Sequence, residues 1–323
     1  MAYAAGDKIL DDEYNNFANS SSDPFGINHI SGTGSAQYGL GETPIVAVTA
    51  GDTIRATHWN NLFTAMDTLA GHTADTLTST TARTAGDPIA IKSALVADLA
   101  TLAASVAAGS PNTTATTTSS ALQQTSSSST WTGTFTTVFT VTFANANSMR
   151  FFFNAGGKVR VNAQRTGSGG TGGATTGKDS AWTNVYNALG NIDIGSQSST
   201  RSGSGETLTT NGLALGFHDL TTSYQTIITI SDNTYPYTAN NIKVEAKLNA
   251  AVGSSTNMQV RLTSTDGASD FTYPSSNRQG ANTNAYRNGQ HRHDLFSINT
   301  TTGGGLANAY SPSSTATDGG TTT

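Results

Sequence analysis

The sequence contains no cysteine and little charge, and both shortages exclude particular classes of protein. Without cysteine the chain forms no disulfide framework, carries out no thiol chemistry and builds no cysteine-ligated zinc site. Charged residues make up 11% of the 323 residues, whereas about 25% is usual in a globular protein. Threonine, serine, asparagine and glycine take their place, and this composition favours β structure, loops and close contacts between backbones.

The charges that are present argue against nucleic acid and membrane as partners. The formal net charge is −5 and the lysines and arginines are scattered singly, so no basic stripe is available to replace phosphate counterions. The first residues, acidic between Asp7 and Glu13, lack the basic start and apolar core of a signal peptide. The most apolar stretch, residues 94–108, is too polar and too short to span a membrane. We therefore expect no nucleic-acid partner, no membrane insertion and assembly in a cytoplasm.

A short motif recurs in the N-terminal third of the chain. Residues 5–17 and 50–62 share Ala-Gly-Asp-x-Ile followed, at identical spacing, by an aromatic residue and Asn-Asn. A weaker third copy begins at Ala85. Each copy predicts a Gly-Asp turn, a buried isoleucine and the start of a helix. Asp12 and Thr57 fall at the positions expected for N-caps, where a side-chain oxygen accepts from free backbone amides.

Apolar residues at helical spacing predict the buried faces of these helices. The residues concerned are Ile9, Tyr14, Phe17, Ile54, Trp59, Leu62, Phe63, Met66, Leu69, Ile89, Leu95, Val96, Leu99, Leu102 and Val106. One interpretation is that the helices pack on one another within the chain. The other is that part of each face contacts symmetry-related copies, because so small a helical unit has a marginal core by itself. These residues are therefore predicted to form the core of the repeats and their assembly contacts.

The chain divides into four regions and is predicted to be an α+β multidomain protein. Residues 1–108 form a helical and extended assembly region that contains the repeats. Residues 109–130 are a linker rich in serine and threonine. Residues 131–269 form an antiparallel β-sandwich of jelly-roll type, and residues 270–323 form an extended C-terminal arm. Within the first region, Ser20 to Gly41 is rich in glycine, serine and asparagine and predicts a long extended excursion.

Period-two patterns predict the sandwich. From Trp131 to Phe143 the odd positions carry most of the large apolar groups, and the even positions are mostly threonine, as in a half-buried strand. Further predicted strands are Met149 to Phe153, Lys158 to Ala163, Asn191 to Ile194, Leu213 to Phe217, Tyr224 to Ile230, Ile242 to Leu248, and Met258 to Leu262. Short strands separated by turn residues are typical of a sandwich or jelly roll. Asp179 to Leu189 has helical spacing and predicts a short helix over one sheet edge.

Two segments resemble virion proteins of tailed bacteriophages. The repeated unit at residues 5–17 and 50–62 resembles N-terminal segments of structural proteins from marine and cyanobacterial phages. The run from Arg150 to Val159, followed by a glycine-rich loop and Trp182, resembles the β domain of the same group. The resemblance implies a virion structural protein or tail fibre, and it carries over no catalytic residue.

One short segment has the residue types of a metal site. His291 and His293 alternate along a predicted extended stretch, so both side chains point to the same side. Three such pairs around a three-fold axis would supply six nitrogens to one metal ion. The alternative is a polar surface strand with no ligand. No other cofactor is indicated.

The aromatic residues and the carboxylates are the remaining candidates for sugar contacts and for catalysis. Trp182, Tyr186, Tyr235 and Tyr237 could stack on sugar rings, or lie in the core or an interface. The carboxylates show no pairing motif for a glycosidase. No nucleophile elbow lies between a strand and a helix, since Gly203-Ser204-Gly205 lies in a polar stretch. We therefore expect no catalytic residue.

These patterns predict a structural component of a bacteriophage virion, a tail fibre or a tail- or baseplate-associated subunit that acts through oligomeric assembly. The expected partners are further copies of the chain, in a homotrimer, and other tail, baseplate or capsid proteins. The alternatives are a capsid decoration or head-fibre protein, and a receptor-binding carbohydrate module at a fibre tip that contacts a host surface glycan. An enzyme acting on host polysaccharide is the remaining alternative.

Overall fold

The computed structural model describes residues 11–33, 37–87, 92–108, 116–126, 133–165, 177–268, 290–300 and 310–321. Its α-helices are α1 (Asp11–Asn19), α2 (Ala56–Thr73), α3 (Lys92–Ala107), α4 (Ala146–Asn154) and α5 (Gly177–Leu189). A π-helix spans Asn28–Thr33, and 3-10 helices span Phe217–Asp219 and Val252–Ser254. The strands are β1 (Thr116–Thr118), β2 (Leu122–Thr125), β3 (Gly133–Thr142), β4 (Lys158–Arg165), β5 (Ile192–Ile194), β6 (Ser199–Arg201), β7 (Thr207–Asn211), β8 (Gln225–Ser231), β9 (Asn241–Leu248), β10 (Asn257–Asp266), β11 (His291–Thr300) and β12 (Ser313–Thr321).

Two antiparallel sheets form the β part of the molecule. The first has the strand order β1-β11-β4-β5-β6, with β2 also paired to β11. The second has the order β12-β3-β10-β9-β8-β7. Alternate residues of β3 and β10 are buried, and Phe135 of β3 stacks on His293 of β11 at 4.3 Å between ring centroids. The predicted α+β fold with a sandwich-like pair of sheets is confirmed.

The sandwich extends beyond the predicted boundaries. Strands β1 and β2 lie in the segment predicted to be a linker, and both pair with β11. Strands β11 and β12 lie in the segment predicted to be an arm, and β11 pairs with β4 from His291 to Ile298. Both predicted boundaries therefore need correction. Strands β1, β2 and β12 consist largely of polar residues, so their stability comes from pairing in the sheet and not from an apolar alternation that the sequence could display.

One predicted strand is a helix. Residues 149–153 lie in α4, where Met149, Phe152 and Phe153 are buried at helical spacing. The Asn145 side chain caps this helix, since its Oδ1 accepts from the Ser148 backbone N–H at 2.8 Å. The predicted strand at residues 213–217 is also wrong, because this stretch leads into the 3-10 helix.

The helical faces are confirmed as an intrachain core. All members of the α2 set (Trp59, Leu62, Phe63, Met66 and Leu69) are buried, as are Leu95, Leu99, Leu102 and Val106 of α3, whereas Ile54 and Val96 are half-buried. Tyr14 and Phe17 of α1 contact Trp59, with ring centroids 5.7 and 6.1 Å apart. Ile9 and Ile89 lie outside the described residues. These faces pack within the chain and are not free to contact other copies.

The predicted N-caps are wrong. The N-cap of α2 is Arg55, whose backbone N–H donates to Nδ1 of His58 at 3.2 Å, so Thr57 lies inside the first turn. Helix α1 already includes Asp11, so Asp12 lies within it. At the start of α2 the side-chain acceptor is therefore the imidazole of His58, whereas the prediction expected the hydroxyl of Thr57.

The excursion between the first two repeats folds back on the sandwich. Ile27, Ile30 and Leu40 are fully buried. Nδ2 of Asn154, at the end of α4, donates to the Tyr38 carbonyl at 2.6 Å. Its apolar residues belong to one continuous core that includes residues of the helices and of both sheets. The excursion, predicted to be extended, is therefore a packed part of the protein.

An asparagine from each of the first two repeats makes two hydrogen bonds to the backbone just before the next repeat. Nδ2 of Asn15 donates to the Val48 carbonyl at 2.7 Å, and its Oδ1 accepts from the Val48 N–H at 2.9 Å. Asn60 makes the same pair of bonds to Arg83, at 3.0 and 2.8 Å. Val48 and Arg83 each stand two residues before the Ala-Gly-Asp of the following copy. We call each pair an asparagine clamp.

A tight turn follows each clamp. In the turns Thr49 to Asp52 and Thr84 to Asp87, the aspartate N–H donates to the threonine carbonyl at 3.0 and 3.1 Å. The glycines have φ of 93° and 96°, a region that glycine adopts without strain. In the second turn the aspartate carboxylate accepts from the N–H and the hydroxyl of Thr84, and these hydrogen bonds lower its pKa. The predicted Gly-Asp turns are confirmed in the second and third copies.

The clamp yields a prediction with a built-in control. Asn60→Ala removes both bonds to the Arg83 backbone, and we expect it to lower the free energy of unfolding by about 1–3 kcal/mol. Asn61→Ala changes an exposed neighbour on the same helix, and we expect it to stay within about 0.5 kcal/mol of the parent. Urea unfolding followed by circular dichroism measures both variants. Equal losses for the two would show that the clamp contributes nothing specific.

Candidate functional site

A polar cluster lies between the two sheets. It consists of His291, His293, Tyr186, Ser264 and Thr137, which we call the interior polar cluster. Strand β11 supplies the two histidines, and their alternate positions turn both rings to the same side, toward the second sheet. All five residues are buried. Buried titratable groups are uncommon unless they are paired or hydrogen-bonded, which makes this cluster the strongest candidate for chemistry in the interior.

His293 is hydrogen-bonded through both ring nitrogens. Its Nδ1 lies 3.0 Å from Oγ1 of Thr137 and its Nε2 lies 3.0 Å from Oγ of Ser264. Burial, with a smaller contribution from the neighbouring His291, lowers the pKa of His293 to about 3. The ring is therefore neutral at ordinary pH, with one nitrogen donating and the other accepting.

Tyr186 links the two histidines. Its hydroxyl lies 2.7 Å from Oγ of Ser264 and 2.5 Å from Nδ1 of His291. Burial raises the pKa of the Tyr186 phenol, so the hydroxyl keeps its proton. A continuous chain of hydrogen bonds thus runs from Thr137 through His293, Ser264 and Tyr186 to His291. Such fully paired networks fix one arrangement of a core.

Two ion pairs flank the cluster at the start of α5. Nζ of Lys178 lies 2.7 Å from Oδ2 of Asp266, and both side chains are buried. Nη2 of Arg165 lies 3.0 Å from Oδ1 of Asp179, which is also buried. Burial lowers the pKa of Arg165, while Asp179 raises it. In a chain with few charges, the placement of Lys178, Asp266, Arg165 and Asp179 in or at the edge of the interior is a specific feature of the fold.

The cluster contains a serine–histidine pair but not the chemistry of a nucleophile. A catalytic serine needs a histidine base with a pKa near the working pH, oriented by a carboxylate. Here Thr137 takes the place of the carboxylate, and His293 has a pKa of about 3. The Ser264 hydroxyl is also held by Tyr186 and is closed off from solvent. The arrangement can hold two sheets in register, and it cannot receive a substrate.

His291 and His293, the predicted metal ligands, lie inside the protein and not on a surface where copies could meet. The two side chains do lie on one side of a strand, but that side faces the core, and both rings are fully buried. Both nitrogens of His293 are engaged by hydroxyl groups. Within the described ranges, no group of three or more His, Asp or Glu side chains could hold a metal ion. Alternation along a strand indicates which residues share a face, but not which face is exposed.

The four aromatic residues predicted as sugar or interface contacts separate into two groups. Trp182, Tyr186 and Tyr237 are buried, so they are core residues and cannot stack on a sugar. Tyr235 is 85% exposed and stands apart from them. Of the alternatives that the sequence left open, placement in the core therefore applies to Trp182, Tyr186 and Tyr237. The sequence did not identify Lys178, Asp179 and Asp266 as members of buried ion pairs. The signal that could have found the first two is their charge at the start of a predicted helix.

No protein-family model, curated protein or solved structure was found to match the chain. Of the helices in the described ranges, none is both long and apolar enough to cross a membrane.

Proposed function

We propose that the chain is a non-enzymatic structural subunit of a tailed-phage virion, in a tail fibre or a tail- or baseplate-associated part, and that it acts by assembling with copies of itself. The observation that carries the proposal is the character of the two edge strands of the second sheet. Strands β7 and β12 end this sheet on either side. An edge strand presents unpaired backbone groups to any neighbouring chain.

Among the residues that the structure describes, no strand pairs with the outer edge of β7. All five of its residues are exposed and none is charged. Leu208, which is 38% exposed, places an apolar side chain there. Soluble monomers usually protect such edges with lysine, proline or a covering segment. The only irregularity in its pairing with β8 is a bulge between Leu208 and Thr210.

Strand β12 is the longer edge. It pairs with β3 on one side, and no strand of the described chain is paired with its other side. Its nine residues include a single charge, Asp318. Because the two edges lie at opposite ends of one sheet, β7 of one copy can pair with β12 of the next. Such a head-to-tail contact gives a ring when the rotation between copies closes and an open filament when it does not, and closure at three copies would give the homotrimer expected from the sequence.

The interior supports a mechanical role. Ser264 and His293, which have the residue types of a nucleophile and its base, are buried away from solvent and hydrogen-bonded to each other. The apolar faces of the helices are used within the chain. Contacts between copies are therefore left to the sheet edges, where backbone hydrogen bonds need few side-chain features. A threonine-rich, charge-poor composition is compatible with this mode of contact.

The edge contact can be tested with two lysine variants. We expect the parent chain to form an oligomer in light scattering, and Leu208→Lys to shift it to the monomer, because a charge at an edge strand opposes pairing. Val46→Lys adds the same charge to an aliphatic residue that is 83% exposed and lies outside the sheets, and it should leave the oligomer intact. A monomeric parent chain would refute the proposal. Antibody labelling of virions that contain the chain then distinguishes a tail position from a capsid position.

A further inference from the structure

Lys178 and Asp266 form an ion pair in which both partners are enclosed. Nζ of Lys178 lies 2.7 Å from Oδ2 of Asp266, and the two side chains are 0% and 1% exposed. In each of the other ion pairs between described residues, at least one side chain is 10% exposed or more. An amine and a carboxyl group are therefore held in contact in a part of the interior that is closed to solvent.

The surroundings hold both groups in place. Lys178 is the second residue of α5, and Asp266 is the last residue of β10, where it is paired with Gly133 of β3. Nζ of Lys178 also donates to the Ala268 carbonyl at 3.3 Å. The Ala268 N–H in turn donates to Oδ1 of the buried Asn240 at 3.0 Å. The amine thus meets the carboxyl group at a fixed distance and without a conformational search.

Burial changes the chemistry that is open to such a pair. In water, the hydration of a free ammonium and a free carboxylate opposes their condensation to an amide. An enclosed site withdraws that hydration and favours neutral groups over the two ions. An amide carries no charge, so its formation removes both ions from the interior. The exclusion of solvent also protects the bond from hydrolysis once it has formed.

The position of the pair in the fold suits a covalent link. Lys178 lies on α5, which connects β4 and β5 of the first sheet, whereas Asp266 ends β10 of the second sheet. A bond between them would join the two halves of the sandwich through residues that are 88 positions apart. Closing so long a loop strongly restricts the unfolded chain. Because the sequence contains no cysteine, a disulfide cannot supply this constraint.

We propose that Lys178 and Asp266 join in an intramolecular isopeptide bond after the chain has folded. A proton passes from the ammonium to the carboxylate along their hydrogen bond, which leaves a neutral amine and a carboxylic acid. The Nζ lone pair attacks Cγ of Asp266 and forms the C–N bond, a C–O bond breaks, and the hydroxyl leaves with one amine proton as water. One N–H remains, directed at the Ala268 carbonyl, and no oxidant, reductant or co-reactant is needed. Unfolding experiments on the ion pair refer to the chain before this step.

The test is mass spectrometry of the denatured full-length protein. A chain with the bond is lighter than its sequence requires by one water, about 18 Da. Trypsin should release residues 166–201 joined to residues 262–278, because the bond blocks cleavage after Lys178. Lys178→Arg keeps the positive charge but not the primary amine, and it should show no loss of water. Lys243→Arg is the matched control, since it changes the partly exposed ion pair with Glu245, and it should lose water as the parent does.

Two outcomes would overturn the inference. One is a parent chain that keeps its full mass after prolonged incubation of the folded protein. The other is a loss of water confined to residues 262–278, since Asp266 precedes Gly267 and a cyclic imide in that backbone has the same mass as the isopeptide. Both are read from the parent, so they decide the question even where a variant fails to fold. The bond lies within one copy, so Leu208→Lys should also carry it, which separates this inference from the assembly proposal.

Discussion

Lys178→Met is expected to lower the free energy of unfolding by about 3–5 kcal/mol, because it leaves the buried carboxylate of Asp266 without its cation. The ammonium lies 2.7 Å from Asp266 and 3.3 Å from the Ala268 carbonyl, and both charged side chains are enclosed. Removing one partner of a buried ion pair leaves the charge of the other poorly compensated in the interior. Urea unfolding of the parent and the variant gives the difference.

Two further variants make this test specific. Lys243→Met removes a lysine that is 39% exposed and paired with Glu245, and it should cost no more than about 1 kcal/mol. The double variant Lys178→Met/Asp266→Leu removes both buried charges and should recover most of the loss, since an apolar pair can replace a buried ion pair. If the double variant is as unstable as the single one, the loss comes from packing and not from the unpaired charge.

Low pH is expected to destabilise the fold, because two histidines do not bind a proton in the folded protein over a pH range in which they bind one in the unfolded chain. Burial lowers the pKa of His293 to about 3 and that of His218 to about 4, from an ordinary value of 6.5. Below pH 6.5 the unfolded chain binds protons that the folded chain does not, so the free energy of unfolding falls with pH. Each histidine contributes about 1.4 kcal/mol per pH unit until its folded pKa is reached.

The contribution of His293 can be isolated by comparison. Urea unfolding at pH 7, 5.5 and 4.5 should show a steeper loss for the parent than for His293→Gln, by about one proton. His218→Asn is a matched variant at a half-buried site where Nε2 lies 2.9 Å from Oδ1 of Asn154, and its slope should also decrease. Parallel slopes for parent and His293→Gln would mean that His293 takes up a proton in the folded protein.

The parts of the fold that could be predicted are those with a strong apolar period. The face of α2 around Trp59 and Met66 was predicted residue by residue, as was the apolar side of β3, and β4, β9 and β10 were predicted as strands. In each case large apolar side chains repeat at the period of the element, and burial of that face dominates its free energy. Helix α5 was predicted for the same reason, although its first residues bring Lys178 and Asp179 into the interior.

The missed elements lack such a period. Strands β1, β2 and β12 consist mostly of serine, threonine, glutamine and glycine, and sheet pairing defines them. Strand β11 was predicted only as an extended stretch, because Leu295 is the one aliphatic residue beside His291, His293 and Ser297 on its buried side. Three consecutive phenylalanines in α4 fit a buried strand and a helix equally, and the Asn145 cap decides between them. The candidate sites depend on which residues the fold brings together. The sequence could therefore predict some of the residues in them but not the side chains that surround those residues.

The two asparagine clamps are closed across different lengths of chain, 33 residues between Asn15 and Val48 and 23 residues between Asn60 and Arg83. The joint thus fixes how one unit begins relative to its predecessor, whatever the length of the stretch between them. The same kind of junction follows a 33-residue stretch whose apolar residues are buried in the core and a 23-residue stretch that holds most of α2. The distance from one unit to the next is therefore set by how each stretch packs, and the clamp sets only the direction in which the next unit starts.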